Sequence, residues 1–395
     1  MARSIFIVSI IKYYISIMNR PLSLIYLDNI RLPTEKAHGI QIMKMCEAFI
    51  KVGIKTTLAV PSFNKNADDA FTYYRVPQIF FINNHYKTPN IRPLNAFTFF
   101  LRTVIFFLSF LFSKERKAAN LVYVRDPNLA FFLALWKMPF VWEIHQDFYN
   151  FRTNYAIKKS VAAIFITNGL KEKFISYGVK DKNKLYVFPD AADLEMIASV
   201  KDKNEVKKSA GLPVDAPIIL YSGHLYEWKG AHILAEAAYK VQSNAIFVFI
   251  GGTDEDVAIF KEKYGRNSRI KILGHKPYFE MPKYKQVADI LVIPNSGRFE
   301  ISKTYTSPLK LFSAMASNLP IIASDLPSLR EIVDEKMVFF VPPDDSEKLA
   351  RMIDYVIQHP AEAEEKALAA FNEAKKYTWN VRASGIRDVI LFHLP

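Results

Sequence analysis

Short apolar runs alternate with longer amphipathic stretches along this chain, and the alternation starts twice. Such a pattern fits strand–helix–strand units, whose parallel strands are buried on both faces and read as nearly continuous apolar sequence. In the first half, strands are expected at Leu22–Asp28, Thr56–Val60, Leu121–Asp126, Phe140–His145 and Ala162–Thr167. Helical patterns fall between them, such as Ala37–Val52, with Gly53 placed to end it. After YVFPDAAD (Tyr186 to Asp193), the lysine-rich, turn-rich segment KDKNEVKKSAGLPVDAP reads as a domain boundary. The second half restarts with strands expected at Pro217–Gly223, Ala245–Gly251, Ile270–Gly274, Asp289–Pro294, Pro320–Ser324 and Val338–Pro342. Helical patterns close the chain from Ser346 to Lys376 and from Trp379 onward. The fold class expected is α/β, with two doubly wound domains and ligands outside the carboxyl ends of the strands, in a cleft between them.

Composition narrows the classes. Half of the 395 residues are apolar, which excludes intrinsic disorder, and 13 glycines without a period exclude collagen-like sequence. A single cysteine, Cys46, rules out an internal disulfide and any multi-cysteine metal site, and it fits a reducing compartment. Charge is unevenly spread. Residues 1–190 hold 26 of the 52 Lys and Arg but only 12 of the 39 Asp and Glu, so they carry +14 and the remainder carries −1. Nucleic acid, an anionic membrane surface or an acidic substrate each account for such an excess. Nucleic acid is the poorest fit, because the chain has no aromatic RNA-binding motif, zinc framework or arginine-rich tract.

Two apolar stretches bear on membranes. Ser4–Ile17 is interrupted by Lys12 and falls short of the ~20 residues that span a bilayer. No small-residue cleavage site follows it, so residues 1–20 read as an apolar extension, either an interfacial anchor or the product of an early start codon. Phe97–Phe112 carries Arg102 and is followed by KERK, Lys114 to Lys117. It reads either as a helix buried against a sheet or as an amphipathic helix lying in a lipid interface.

Three segments carry candidate chemistry. In YSGHLYEWKG, Tyr221 to Gly230, a strand end, a glycine-containing loop, Lys229 and a helix start suit an anion such as a diphosphate. The same pattern also serves an ordinary strand–loop–helix turn. TSPLKLFSAMASNLP, Thr306 to Pro320, repeats the arrangement: Thr306 or Ser307 suits a helix cap, Pro308 the first turn, and Lys310 adds charge. In the first half, Gly39 permits close backbone approach to a ligand, and His145 ends an apolar strand in WEIHQD. The chain contains neither a GxGxxG fingerprint nor a P-loop, which counts against a dinucleotide dehydrogenase and a P-loop kinase.

Together these segments resemble the retaining glycosyltransferases of the GT-B fold, family 4. The resemblance runs from about Leu22 to Phe392 and is most specific in YSGHLYEWKG, ILGHKPYFEMPKYKQVADILVIP and TSPLKLFSAMASNLPIIASDLPSLREIV. YTWNVRASGI resembles the family's last helix, which returns to the first domain. The implied organisation is an extension over 1–20 and an acceptor-side domain over 21–200. A nucleotide-sugar domain over 201–377 and a returning helix over 378–395 complete it.

The resemblance also implies site roles. Gly223, His224 and Lys229 belong to the phosphate loop, and Lys229 neutralises charge on the leaving diphosphate. His275 and Lys276 match the loop that holds the nucleobase through its backbone. Thr306, Ser307, Leu309 and Lys310 match the turn whose amides face the diphosphate. Gly39 matches the loop that closes over the donor, and His145 a histidine near the transferred sugar. The implied reaction needs no metal or other cofactor, because lysine, amides and helix dipole stand in for a cation. The implied donor is a UDP- or GDP-sugar and the acceptor a lipid-linked or envelope glycan, at the cytoplasmic face of a membrane.

One departure stands out. The family has two glutamates eight apart, the second bonding the donor ribose; here those positions are Tyr305 and Ser313. A serine forms a neutral bond in place of a charge-assisted one, at a cost of about 1–2 kcal/mol in donor binding. Glu300, upstream, is a substitute if it points inward. The departure keeps two alternatives in view: a degenerate transferase that serves as a binding partner, and a nucleotide-sugar epimerase of the same fold.

Overall fold

The computed structural model describes residues 22–63, 69–86, 88, 95–194 and 203–394. The apolar stretch Ser4–Ile17 and the extension over 1–20 lie outside the described residues. The chain divides into two compact units. The first comprises the described residues up to Phe165, together with Phe174–Phe188 and the segment from Asn380 on. The second comprises Ile166–Lys173 and Pro189–Trp379. The change of unit at Phe188/Pro189 thus precedes the lysine-rich segment expected to mark it, and the helix Lys203–Ser209 within that segment belongs to the second unit.

In the first unit, seven strands form one parallel sheet: β1 (Ser23–Leu27), β2 (Lys55–Pro61), β3 (Phe81–Tyr86), β4 (Leu121–Val124), β5 (Phe140–Ile144), β6 (Ala162–Phe165) and β7 (Leu185–Val187). Their order is β3-β2-β1-β4-β5-β6-β7, with Leu24 of β1 paired to Thr56 on one side and Leu121 on the other. β3, FINNHY, escapes a reading by apolar runs because it is an edge strand whose Phe81 faces solvent. The helix Ala37–Lys51 ends as expected, with Val52 as cap and Gly53 at φ +87°. In the last helix, Gly385 packs where a Cβ would lie 2.4 Å from the Phe188 ring.

The second unit repeats the scheme with β8 (Ile218–Ser222), β9 (Ile246–Ile250), β10 (Ile270–Gly274), β11 (Ile290–Ile293), β12 (Ile321–Ser324) and β13 (Phe339–Val341). Their order is β10-β9-β8-β11-β12-β13, all parallel. Successive residues of β8 enter opposite cores. Ile218 and Leu220 join Leu311 and Phe312, whereas Ile219 and Tyr221 join Leu234 and Phe249. Burial of both faces explains why these strands lack polar alternation. Such an order reverses direction between β8 and β11, and the crevice outside their carboxyl ends is where doubly wound sheets take ligands.

The helix Ala96–Leu111 begins with an Asn95–Thr98 capping box. It turns Phe106, Phe107 and Phe110 inward while Phe97 and Leu108 remain exposed. Among the described residues, no helix is long and apolar enough to cross a membrane.

Candidate functional site

Local geometry at the end of β8 brings several expected residues together. Gly223 takes φ +148° and its amide donates to the Ile250 carbonyl at 2.8 Å. The Gly251 amide in turn donates to the Gly274 carbonyl at 2.8 Å, so the loops after β8, β9 and β10 are laced side by side. A turn of 3-10 helix, Glu227–Lys229, follows, and Gly230 at φ +71° opens the helix Ala231–Ala237. Only glycine fits there, since a Cβ would lie 1.7 Å from the Pro294 carbonyl oxygen. The Ser296 amide donates to the Trp228 carbonyl at 3.0 Å, tying this loop to the end of β11.

Two ammonium groups converge on this corner. Burial lowers Lys229 from 10.5 to about 8. Lys310, one residue into the helix Leu309–Met315, is held well below 10.5 by burial and then by repulsion from Lys229. Its Nζ is shielded from solvent and has no hydrogen-bond partner. Tyr221 links the two lysine loops: its hydroxyl donates to the His224 carbonyl at 2.6 Å and its ring lies 5.3 Å from Lys310 Nζ. His224 stacks on Tyr226 with ring centroids 4.8 Å apart.

Other expected residues fall differently. Neither Thr306 nor Ser307 caps the helix Leu309–Met315; Pro308 occupies the cap position, and Ser307 Oγ instead accepts from the Asp190 amide at 2.8 Å. That helix and Ala231–Ala237 run seven residues each. Positive potential at this corner therefore comes from the lysines rather than from long helix dipoles. His275 and Lys276 lie in the loop after β10, with His275 exposed. Ser313 is already engaged: Lys285 Nζ donates to its Oγ and, at 3.1 Å, to its carbonyl oxygen. Burial lowers Lys285 to about 8, opposed by attraction to Asp193. Glu300 is exposed and meets Lys303 and Thr304, so it does not replace the missing carboxylate.

In the first unit, Gly39 is buried near the start of its helix, but the space a Cβ would enter is filled by the Tyr74 hydroxyl and Thr34. Packing within the protein therefore accounts for that glycine, rather than an open approach for a ligand. His145 follows β5, with Nε2 2.5 Å from Glu143 Oε1. Burial and the nearby Arg125 push His145 down to about 4, so its imidazole is neutral at physiological pH. Glu143 is fully buried and also receives bonds from Gln41 at 3.0 Å, Arg382 and the Tyr123 hydroxyl. Burial opposes its ionisation, but the Arg382 guanidinium and the hydrogen bond from His145 outweigh that and hold the carboxyl well below the usual range.

Residues 202–376, less than half of the chain, match the family model of glycosyl transferases group 1. Sucrose-phosphate synthase from Thermosynechococcus elongatus superposes with a TM-score of 0.74 at 15% identity, covering 93% of this chain and 98% of that one. HepE from Anabaena, in complex with UDP and glucose, gives a TM-score of 0.72 with the same identity and coverage. The fold is GT-B.

Curated relatives share more sequence identity with the chain, but over a smaller part of it. D-inositol 3-phosphate glycosyltransferase from Xylanimonas cellulosilytica is 22% identical over 54% of this chain and 52% of its own length. Phosphatidyl-myo-inositol mannosyltransferase from Mycobacterium leprae is 25% identical over 51% and 53%. A UDP-Gal:alpha-D-GlcNAc-diphosphoundecaprenol alpha-1,3-galactosyltransferase from Escherichia coli is 26% identical over 44% of each chain. The chain thus spans about half the length of the curated relatives it matches.

Lys285, Glu143 and Arg382 were not legible as site residues. Glu143 had a signal, since residues two apart on a strand share a face and WEIH puts it beside His145. Lys285 had none, because it reaches Ser313 from another helix.

Proposed function

We propose that this chain is a glycosyltransferase that moves a sugar from a nucleoside-diphosphate sugar, with UDP or GDP as carrier, to a hydroxyl of a lipid-linked or envelope glycan. The observation that carries the reading is the pair Lys229 and Lys310, two desolvated ammonium groups with no carboxylate on either among the described residues. Desolvating a lysine without giving it a counter-ion is unfavourable, so a corner that holds two such lysines suits a polyanion. Its position outside β8 and β11 is the ligand crevice of a doubly wound sheet. As the bond between the anomeric carbon and the diphosphate oxygen breaks, the acceptor oxygen bonds to that carbon and its proton passes to the departing diphosphate; Lys229 and Lys310 offset the negative charge that grows on that diphosphate. In this reading the two lysines supply the positive charge that a metal ion provides elsewhere. His145, neutral and fixed by Glu143, serves the acceptor side as a hydrogen-bonding group rather than a base, because a value near 4 is far from the operating pH. Retention of configuration belongs to the same reading and rests on the resemblance to family 4.

Incubation with a panel of UDP-, GDP- and TDP-sugars, read as released nucleotide, tests the activity, and the anomeric signal of the product tests its stereochemistry. No release with any donor, together with no thermal shift from UDP or GDP, refutes the reading.

The exposed apolar stripe of the first unit supports an acceptor at a membrane surface. Phe97, Leu101, Leu108 and Phe112 are exposed along one stripe of the helix Ala96–Leu111 and its cap, Phe97 at 72% and Phe112 at 83%. Lys114 and Lys117 stand exposed directly after them. Aromatic insertion beside basic residues suits a peripheral site on an anionic cytoplasmic membrane face. Liposome flotation should require anionic lipid and weaken with salt; flotation on neutral vesicles alone, or none, removes this part of the reading.

A further inference from the structure

Among the described residues no carboxylate pairs with Lys229 or Lys310, but each lies against one or more aromatic rings. Lys229 Nζ lies 5.1 Å from the Trp228 ring centroid and 5.6 Å from that of Tyr226. Lys310 Nζ lies 5.3 Å from that of Tyr221. All three distances fall within the ~6 Å over which a ring face attracts a cation. Such a face differs from a carboxylate in one respect that matters here: it stabilises the ammonium without cancelling its charge. The rings are also held in place. Tyr226 stacks on His224 with only 3° between the ring planes. Tyr221 is fully buried and anchored through its hydroxyl to the His224 carbonyl. The Trp228 backbone is bonded to Ser296.

We propose that Tyr221, Tyr226 and Trp228 are positioning residues that hold Lys229 and Lys310 as an unneutralised ammonium pair, so that the ligand's diphosphate is the pair's first counter-ion. The inference rests on the reading of the second unit as a nucleoside-diphosphate site and adds how its charge is kept available. An acidic residue in place of any of the three rings would pair with a lysine and compete with the ligand. An aliphatic one would leave the ammonium with less support and lower its pKa.

The test compares the full chain with Y226L, which removes the ring face, and Y226F, which keeps it. Tyr226 is 39% exposed, so both changes avoid the core. Two quantities are read: the affinity for UDP and for GDP by calorimetry, and the pH midpoint of Lys229 acylation by residue-resolved mass spectrometry. Y226L should bind the preferred nucleotide about fivefold more weakly and acylate with a lower midpoint. Y226F should match the parent in both. Should Y226L fail to fold, W228L carries the same expectation on the other ring. Parent-like behaviour of the leucine variant in both readouts overturns the proposal, as does a phenylalanine variant impaired as much as the leucine one. Failure of the unaltered chain to bind either nucleotide refutes the diphosphate reading instead, and the acylation midpoint still decides whether the rings support Lys229.

Discussion

Replacing Lys310 by methionine should move stability and affinity in opposite directions. The side chains are similar in length, so packing against Tyr221 is largely kept while the charge goes. In the unliganded protein that charge is a burden: its Nζ is cut off from solvent, has no hydrogen-bond partner and is repelled by Lys229. One ring contact, worth about 0.5–2 kcal/mol, opposes a desolvation cost of several kcal/mol. The net effect of removing the ammonium is then a gain of about 1–3 kcal/mol. For a unit of this size that corresponds to roughly 2–4 °C in melting temperature per kcal/mol. Binding pays the opposite sign. A charged hydrogen bond to a diphosphate oxygen contributes about 1.5–3 kcal/mol, so the variant should bind UDP or GDP about 10- to 150-fold more weakly. Thermal melts without ligand and calorimetry with it measure both quantities on one preparation. A variant that melts lower, or that binds either nucleotide as tightly as the parent, refutes the assignment of Lys310 to a diphosphate.

The pH response follows from Lys229. Its folded value of about 8 lies below 10.5, so the destabilisation it causes is complete below pH 8 and is relieved as pH rises from 8 toward 10.5. Nucleotide affinity should fall over that range, as calorimetry at pH 7 and pH 9 would detect. Glu143→Gln leaves Arg382 without its buried carboxylate and should destabilise the first unit by about 3–5 kcal/mol, with nucleotide binding to the second unit unchanged at temperatures below the transition. Gly230→Ala forces a Cβ against the Pro294 carbonyl at a positive φ and should cost more than about 1 kcal/mol in a denaturant titration. Ser313→Glu sets a carboxylate beside Lys285 and should raise that lysine from about 8, so the variant melts higher at neutral pH; a lower melting temperature shows the new carboxylate turned elsewhere.

Sequence carried the architecture because doubly buried strands have a simple signature. Ile218–Ser222 and Ile246–Ile250 are apolar on both faces, and the strand boundaries shift by only a residue or so from the expected ones. β3 was missed for the opposite reason: an edge strand with Asn83, Asn84 and His85 has no need of apolar residues. At the site, Lys229 and Lys310 were legible from their loops. Their burial was not, because it depends on Tyr221, Tyr226 and Trp228 folding around them. Capping by Thr306 or Ser307 was a local inference that a tertiary bond overrode, since Ser307 Oγ accepts from the Asp190 amide instead.

The corner around Ser313 shows how one substitution changes the character of a site. Where the resemblance calls for a carboxylate, the structure has a hydroxyl whose oxygen accepts from the Lys285 ammonium. A carboxylate offers only acceptors, so it selects hydroxyl donors; an ammonium offers only donors, so it selects acceptors. Lys285 also anchors the carbonyl of Ser313, which accepts the Ser317 hydroxyl at 2.7 Å as well. The lysine therefore has a structural task in the unliganded protein, unlike Lys310, whose ammonium has no such bond. The two lysines meet one helix differently: Lys310, near its start, has an Nζ without a hydrogen-bond partner, and Lys285 bonds the helix itself through Ser313. In the proposed reading, hydroxyl recognition at the nucleoside end falls to groups other than a carboxylate on this helix, and the diphosphate role proposed for Lys229 and Lys310 does not depend on position 313.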